Sequence, residues 1–156
     1  MAPIVNSIEI SRPPEEVFAY VTDPSQLPHW QESVVSVLWD ADTPVAAGSR
    51  VVHTRRVGRI ERTMTAEVAE LNPPRSWAIR GVDGPVRGTM DGTIEPIGDG
   101  TSSRVTMALD FEGHGIGKLL IPLVVRRQAR TEMSRNQQRL KKRLEATSRT
   151  GPAPAS

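Results

Sequence analysis

The sequence predicts one α+β domain in which a curved antiparallel sheet of about seven strands wraps around a long C-terminal helix, with two short helices after the first strand. Three observations predict it. Apolar and polar residues alternate through most of residues 33–111, between turns rich in proline and glycine. Two short segments of helical spacing follow the first strand. Beyond residue 113 the apolar period becomes helical, and a single sheet needs such a partner for its buried face.

The N-terminal segment predicts a strand followed by two short helices. Ile4, Ile8 and Ile10 share one parity, which is typical of a half-buried strand. Residues 14–21 predict a helix, because proline lies in the first turn and acidic residues follow it at the positive end of the helix dipole. Residues 23–30 predict a second helix, made brief by a proline inside it.

Six further strands are predicted between residues 33 and 111. Turn signals separate them, such as the Asn72-Pro73-Pro74 sequence and a turn at residues 96–100. Strands at this spacing with tight turns indicate an antiparallel meander. The predicted strand segments are 33–39, 49–57, 59–71, 77–79, 86–94 and 105–111.

The C-terminal segment predicts a hinge and then one long amphipathic helix. Pro122 either begins this helix or kinks it. We expect residues 1–147 to form the single domain and residues 148–156, rich in proline and alanine, to be a disordered tail. The apolar stripe of the helix comprises Ile121, Val125, Ala129, Met133, Leu140 and Leu144.

Composition excludes several classes of function. The chain has no cysteine, which rules out disulfides, thiolate metal sites and thiol nucleophiles. Its histidines, His29, His53 and His114, are not at metal-ligand spacing, and residues 113–118 lack the P-loop and dinucleotide patterns. We therefore expect no metal or other cofactor. The absence of a membrane-spanning stretch and of a secretory pattern at the first residues predicts a cytoplasmic location.

Charge is distributed unevenly along the chain. Residues 1–112 contain 10 basic and 16 acidic residues, whereas residues 113–156 contain 10 basic and 2 acidic residues. A basic helix is typical of a polyanion-binding surface, but also of a solvated helix face that balances an acidic sheet. Residues 113–156 contain no aromatic residue that would stack on bases, so we favour the solvated face.

Two parts of the sequence resemble a known family. Residues 8–21 (IEISRPPEEVFAYV) and 23–30 (DPSQLPHW) are similar to the N-terminal region of the START-like (SRPBCC) superfamily. Residues 117–125 (GKLLIPLVV), followed by a basic helix, resemble its polyketide cyclase/dehydrase-like branch. The resemblance covers nearly the whole chain apart from the tail. It implies the helix-grip fold, a START-like ligand-binding domain and a cavity between the sheet and the helix.

Polar residues on predicted apolar faces are the first candidates for ligand contact. Arg62 shares the face of Ile60 and Met64, where it either orients a carboxylate, carbonyl or phenol or extends to water. Asn6 shares the face of Ile4, but short polar residues near strand ends more often satisfy the backbone, and we favour that role.

An adaptable apolar wall supplies the remaining candidates. Methionines on three strands and a tryptophan on a fourth either line a cavity or form ordinary core. Trp30 either closes the mouth of the cavity or holds the short helices against the sheet, and we favour the second. Arg126 and Arg130, one helical turn apart, are positioned to hold an anionic ligand. The candidate ligand-binding residues are Trp30, Arg62, Met64, Trp77, Met90, Met107, Phe111, Arg126 and Arg130.

Three functions are compatible with these patterns. We favour binding of a small hydrophobic or amphipathic ligand, such as a lipid, a quinone or an aromatic polyketide-like molecule. The resemblance also implies a polyketide cyclase or dehydratase, in which Arg62 would polarise a carbonyl, but inward acid–base residues are few. A protein- or ribosome-interaction module that uses the basic helix is the third possibility. We expect a monomer or homodimer.

Overall fold

Seven strands form one antiparallel sheet in the order β1-β7-β6-β5-β4-β3-β2. The computed structural model describes residues 3–84, 86–113 and 126–147. A single 3₁₀ turn at Pro24–Gln26 precedes the second short helix. The strands are β1 (Ile4–Ile10), β2 (Val34–Leu38), β3 (Arg50–Val57), β4 (Ile60–Asn72), β5 (Ser76–Gly81), β6 (Val86–Ile97) and β7 (Ser102–Gly113), and the helices are α1 (Pro14–Val21), α2 (Leu27–Trp30) and α3 (Arg126–Thr147).

The predicted architecture is confirmed, including the strand number and the two short helices after β1. One boundary was wrong, because β6 continues through Pro96 to Ile97, where a turn was expected. Pairing of β6 with β5 ends at Thr93, so Pro96 pairs only with Ser103 of β7. Proline lacks a backbone N–H, but no described strand pairs with β6 on the β5 side at Pro96, so no ladder hydrogen bond is lost there. The predicted hinge, the beginning of the long helix and the tail at 148–156 lie outside the described residues.

Helix α3 packs against β1, α2 and α1 and places its apolar stripe in the core. Met133, Leu140 and Leu144 are buried as predicted. Gln137, which is fully buried, occupies the gap in this stripe. Its side chain accepts a hydrogen bond from Asn6 Nδ2 at 2.5 Å and donates one from Nε2 to the Asn6 carbonyl at 3.0 Å. Asn6 therefore has a structural role, as favoured, but its side chain hydrogen-bonds the Gln137 side chain and not a backbone group.

A second part of the core lies between α1 and the middle of the sheet. Trp77 is 4% exposed, and its ring meets that of Phe18 edge to face, with 6.4 Å between the centroids. Gly92 is the residue opposite Trp77 on β6. This packing fixes α1 on the inner face of the sheet, and it leaves the ends of β3–β6 nearest the β3–β4 hairpin for other contacts.

Candidate ligand-binding site

Small residues on neighbouring strands leave a recess in the inner face of the sheet. Ala66 on β4 is opposite Gly81 on β5, and Gly88 on β6 is opposite Phe111 on β7. A Cβ at Gly81 would meet the Gly88 backbone at 3.3 Å, so the two glycines are direct neighbours. The nearest described atoms to a Cβ at Gly88 would belong to the Phe111 and Leu109 side chains, at 3.8 Å or more, which is ordinary contact distance. Within the described part of the chain, the sheet therefore has room above its backbone at Gly88.

Larger apolar side chains surround the recess and remain partly accessible. They pack against the buried core on one side but are only half-buried themselves. Ile79, Met90 and Leu109 form one cross-strand row through the register of β5, β6 and β7. Met64 lies at the next inward position beyond Ala66 on β4. A ligand that covers these side chains would bury apolar surface that the protein alone leaves in contact with water.

A cluster of polar side chains around Arg55 closes the site toward the β3–β4 hairpin. The Arg55 side chain is only 26% exposed and lies between β3 and α3. Its Nη1 donates to Ser33 Oγ at 2.8 Å, and its Nη2 donates to Gln31 Oε1 at 2.6 Å. Glu132 Oε1 lies 3.8 Å from Arg55 Nη1 and accepts a hydrogen bond from Ser33 Oγ at 2.5 Å. Burial lowers the pKa of Arg55, and Glu132 opposes that change.

His53 is the second polar group on this face. It is opposite Met64, one inward position from Arg55 along β3. Burial and, to a smaller extent, the nearby Arg55 lower the pKa of His53 to about 4, although Asp83 acts in the opposite direction. The imidazole is therefore neutral near pH 7, able to donate a hydrogen bond from one ring nitrogen and accept one at the other.

Arg62 lies at the rim of the site. It is the residue opposite Arg55 across the β3–β4 ladder, so both side chains belong to the inner face. The Arg62 side chain is exposed, whereas Arg55 is enclosed. The register thus brings Arg62 and Met64 to the hairpin end of the recess, with Met90 and Phe111 at its other side.

Three of the predicted contact residues instead form the closed core. Trp30, Trp77 and Met107 are 4%, 4% and 1% exposed, so they offer almost no surface to a ligand. Trp30 joins the core beneath the short helices, in agreement with the role that we favoured. Its Nε1 is buried without a hydrogen-bond partner in the described part of the chain.

The two predicted arginines of α3 lie apart from the recess. Arg126 is enclosed and pairs with Asp110 of β7 at 3.4 Å, although the neighbouring residues Leu109 and Phe111 face inward. Arg130 is exposed and borders an open groove of about 500 Å³ at the β1 edge of the sheet. Helical spacing predicted that Arg126 and Arg130 both lie near the apolar stripe, but their side chains extend to different surroundings.

Several basic side chains of α3 contact other parts of this domain. Arg135 pairs with Glu32 at 2.7 Å, and Arg139 donates to the His29 carbonyl at 3.3 Å. Lys141 Nζ donates to the Glu9 carbonyl at 2.7 Å and also pairs with Glu145 of the same helix at 2.8 Å. These contacts fasten the helix to the acidic part of the chain.

Sequence reasoning missed the enclosed polar group around Arg55. Val51 and Val52 are both apolar, so the alternation in β3 did not reveal which parity faces inward. Val51 is buried, which places His53 and Arg55 on the inner face with it. The polar residues that contact Arg55 come from a loop and from a distant helix, and no local sequence pattern predicts such contacts.

The described residues contain neither a cluster of metal ligands nor a helix that could span a membrane. No three His, Cys, Asp or Glu side chains in those residues cluster as metal ligands would. None of the helices in the same residues combines the length and apolar character needed to cross a bilayer.

Comparisons with known proteins agree with this architecture. A family model described as polyketide cyclase / dehydrase and lipid transport matches residues 1–145. No curated protein matches the chain. The solved structure of TTHA0849 from Thermus thermophilus is 20% identical, with a TM-score of 0.76, and the match covers 94% of this chain and 99% of that protein.

Two other solved structures share the fold. A START superfamily protein from Mycobacterium smegmatis is 14% identical with a TM-score of 0.75, covering 94% of this chain and 99% of its own. The di-domain ARO/CYC protein BexL from the BE-7585A biosynthetic pathway is 19% identical with a TM-score of 0.70. That match covers 97% of this chain and 48% of BexL. At these identities the comparisons show a helix-grip, START-like fold.

Proposed function

The chain belongs to the family described as polyketide cyclase / dehydrase and lipid transport, and on that premise we propose that it binds one small hydrophobic or amphipathic molecule between its sheet and its C-terminal helix. The ligand class is a lipid, a quinone or an aromatic polyketide-like compound. The binding domain is residues 1–147.

The recess in the inner face carries this proposal. Ala66, Gly81 and Gly88 leave space above the sheet, and half-buried apolar side chains such as Met64 and Met90 border it. Concave apolar surface with a few convergent polar groups is typical of small-molecule sites. Here the polar groups are His53 and the enclosed Arg55.

A cyclase is the second candidate, favoured by the neutral His53 beside a cationic Arg55. A guanidinium polarises a carbonyl oxygen, and a neutral imidazole accepts a proton. However, a pKa of about 4 makes His53 a weak base at neutral pH, roughly a thousandfold less basic than a group tuned to pH 7. Binding therefore fits the site better than catalysis.

A thermal-shift screen with fatty acids, sterols, quinones and aromatic polyketides tests the proposal. A ligand that binds only the folded chain raises the melting temperature. Met64→Trp fills the recess and should abolish the shift, whereas Thr63→Trp places the same ring on the exposed outer face and should retain it. No shift with any compound would oppose ligand binding.

Native mass spectrometry, followed by organic extraction of the purified chain, identifies a retained ligand without prior choice of compounds. Product formation on incubation, lost in Arg62→Ala with folding intact, would favour the cyclase. Binding to a polyanion that falls steeply with salt and with loss of Arg135 and Arg139 would instead support an interaction module.

A further inference from the structure

Two arginines are directly opposite each other at the hairpin end of the recess. Arg55 and Arg62 are direct partners in the β3–β4 register. Side chains of directly opposite residues share one face, with Cβ atoms about 5 Å apart. Arg55 reaches Glu132 of α3, so the shared face is the one toward the helix.

The charges of these two arginines are not equally compensated. Arg55 has Glu132, Ser33 and Gln31 as partners. The Arg62 side chain makes no hydrogen bond or ion pair with the described residues. Like charges directly opposite each other in a sheet are destabilising. An anion between them would relieve that repulsion.

The neighbouring cross-strand pair, on the outer face of the hairpin, has opposite charges. Arg56 is opposite Glu61, and their side chains form an ion pair at 2.7 Å. The same hairpin thus has a compensated pair on the solvent side and an arginine–arginine pair on the helix side. Placement of the like-charged pair next to the recess indicates a role in ligand contact.

The arginine pair is within reach of a ligand in the recess. Met64 is one inward position from Arg62 along β4, or about 7 Å, and Ala66 is two positions, or about 13 Å. His53, opposite Met64, is neutral near pH 7 and does not repel an anion. The Asp83 carboxylate near it already accepts a hydrogen bond from the Thr65 N–H at 2.9 Å.

We propose that the site selects amphipathic molecules that carry a carboxylate, with the acid group at Arg62 and Arg55 and the apolar body over the recess. This selection rests on the proposed ligand-binding function and adds the chemical class of the head group. Arg62 supplies the direct contact, because it is free to form the forked pair that guanidinium and carboxylate groups prefer. Arg55, whose charge Glu132 partly offsets, is held in place beside the acid group by its three partners.

Matched acids and alcohols test the head group. Calorimetry would compare decanoic acid with decan-1-ol, and 2-naphthoic acid with 2-naphthylmethanol, so that a lipid-like and an aromatic body are each presented with and without charge. We expect at least one acid to bind roughly tenfold or more tightly than its alcohol. Arg62→Gln should remove that difference by weakening the binding of the acid far more than the binding of the alcohol.

Arg56→Gln, which removes the same charge from the outer face, is the control and should keep the preference for the acid. Equal affinity for acid and alcohol in the unmodified chain would overturn the selection and leave ligand binding intact. Equal losses in Arg62→Gln and Arg56→Gln would also overturn it, because overall charge would then be the cause. Failure of all four compounds to bind would count against the proposed function as well.

Discussion

The indole of Trp77 lies directly against the backbone of Gly92, its partner across the β5–β6 ladder. A Cβ at position 92 would overlap the Cζ2, Cη2 and Cε2 atoms of that indole. The ring cannot move away easily, because its other contacts include the edge-to-face pair with Phe18. Glycine at 92 is therefore required by the core that holds α1 on the sheet.

Gly92→Ala should destabilise the fold by about 2–3 kcal/mol, since the added methyl group forces Trp77 from its position. The free energy of unfolding in urea measures the effect. Gly88→Ala, on the same strand, adds the same methyl group where the nearest atom is 3.8 Å away and should change stability by less than about 1 kcal/mol. Similar losses in both variants would contradict the close-contact explanation.

Gln137→Leu should cost about 2–4 kcal/mol, because it leaves the half-buried Asn6 side chain and carbonyl without their helix partner. Gln138→Leu changes the exposed neighbour on the same helix and serves as the control. Chemical denaturation of both variants checks the difference. If Gln137→Leu is neutral, the amide pair does not stabilise the contact between α3 and β1.

Stability should fall as the pH decreases from about 6.5 to about 4 because of His53. Its pKa is lowered to about 4 in the fold from an ordinary value of 6.5. Above pH 6.5 neither state binds this proton. Between the two values the unfolded chain binds it and the folded chain does not, which costs up to about 3 kcal/mol at pH 4 and below.

Denaturation of His53→Gln across that range isolates this contribution. The variant should lose less stability than the unmodified chain between pH 6.5 and pH 4. Identical pH profiles for His53→Gln and the unmodified chain would show that His53 is not enclosed.

Glu132→Gln should destabilise the fold by about 1–3 kcal/mol, because the enclosed Arg55 loses its acidic partner. Glu61→Gln breaks a shorter pair, with Arg56 at 2.7 Å, yet both side chains are about half exposed. Its expected cost is below about 0.5 kcal/mol. A larger effect at Glu61 than at Glu132 would contradict the ranking of these pairs by burial.

The fold was predictable because its signals are local. Alternation, prolines at helix starts and turn residues predicted seven strands and the short helices, and the stripe at Met133, Leu140 and Leu144 predicted the packing of α3. The turn predicted at Pro96 was wrong because a proline ends a strand only where its N–H is needed for pairing. Whether it is needed depends on where β5 ends, which local sequence does not show.

The site was predictable only in part. Alternation gave the apolar positions Met64 and Met90, whereas the Arg55 group depends on contacts between residues far apart in sequence, such as Ser33 and Glu132. Gln137 is polar within an apolar stripe, and its burial follows from a single partner on β1. The recess likewise arises because Gly81 and Gly88 have no side chains. In the sequence pattern these glycines appear only as positions of low strand propensity.

Methyl NMR of the methionines tests ligand binding at the recess most directly. The chain has five methionines, and with a bound acid or aromatic compound the methyl resonances of Met64 and Met90 should shift most. Met133, buried on the core-facing side of α3, should shift least. The predicted result is saturable shifts at Met64 and Met90, with the Met90 shift lost in Met64→Trp. Absence of shifts with every compound, or shifts confined to Met133, would contradict a site between the sheet and the helix.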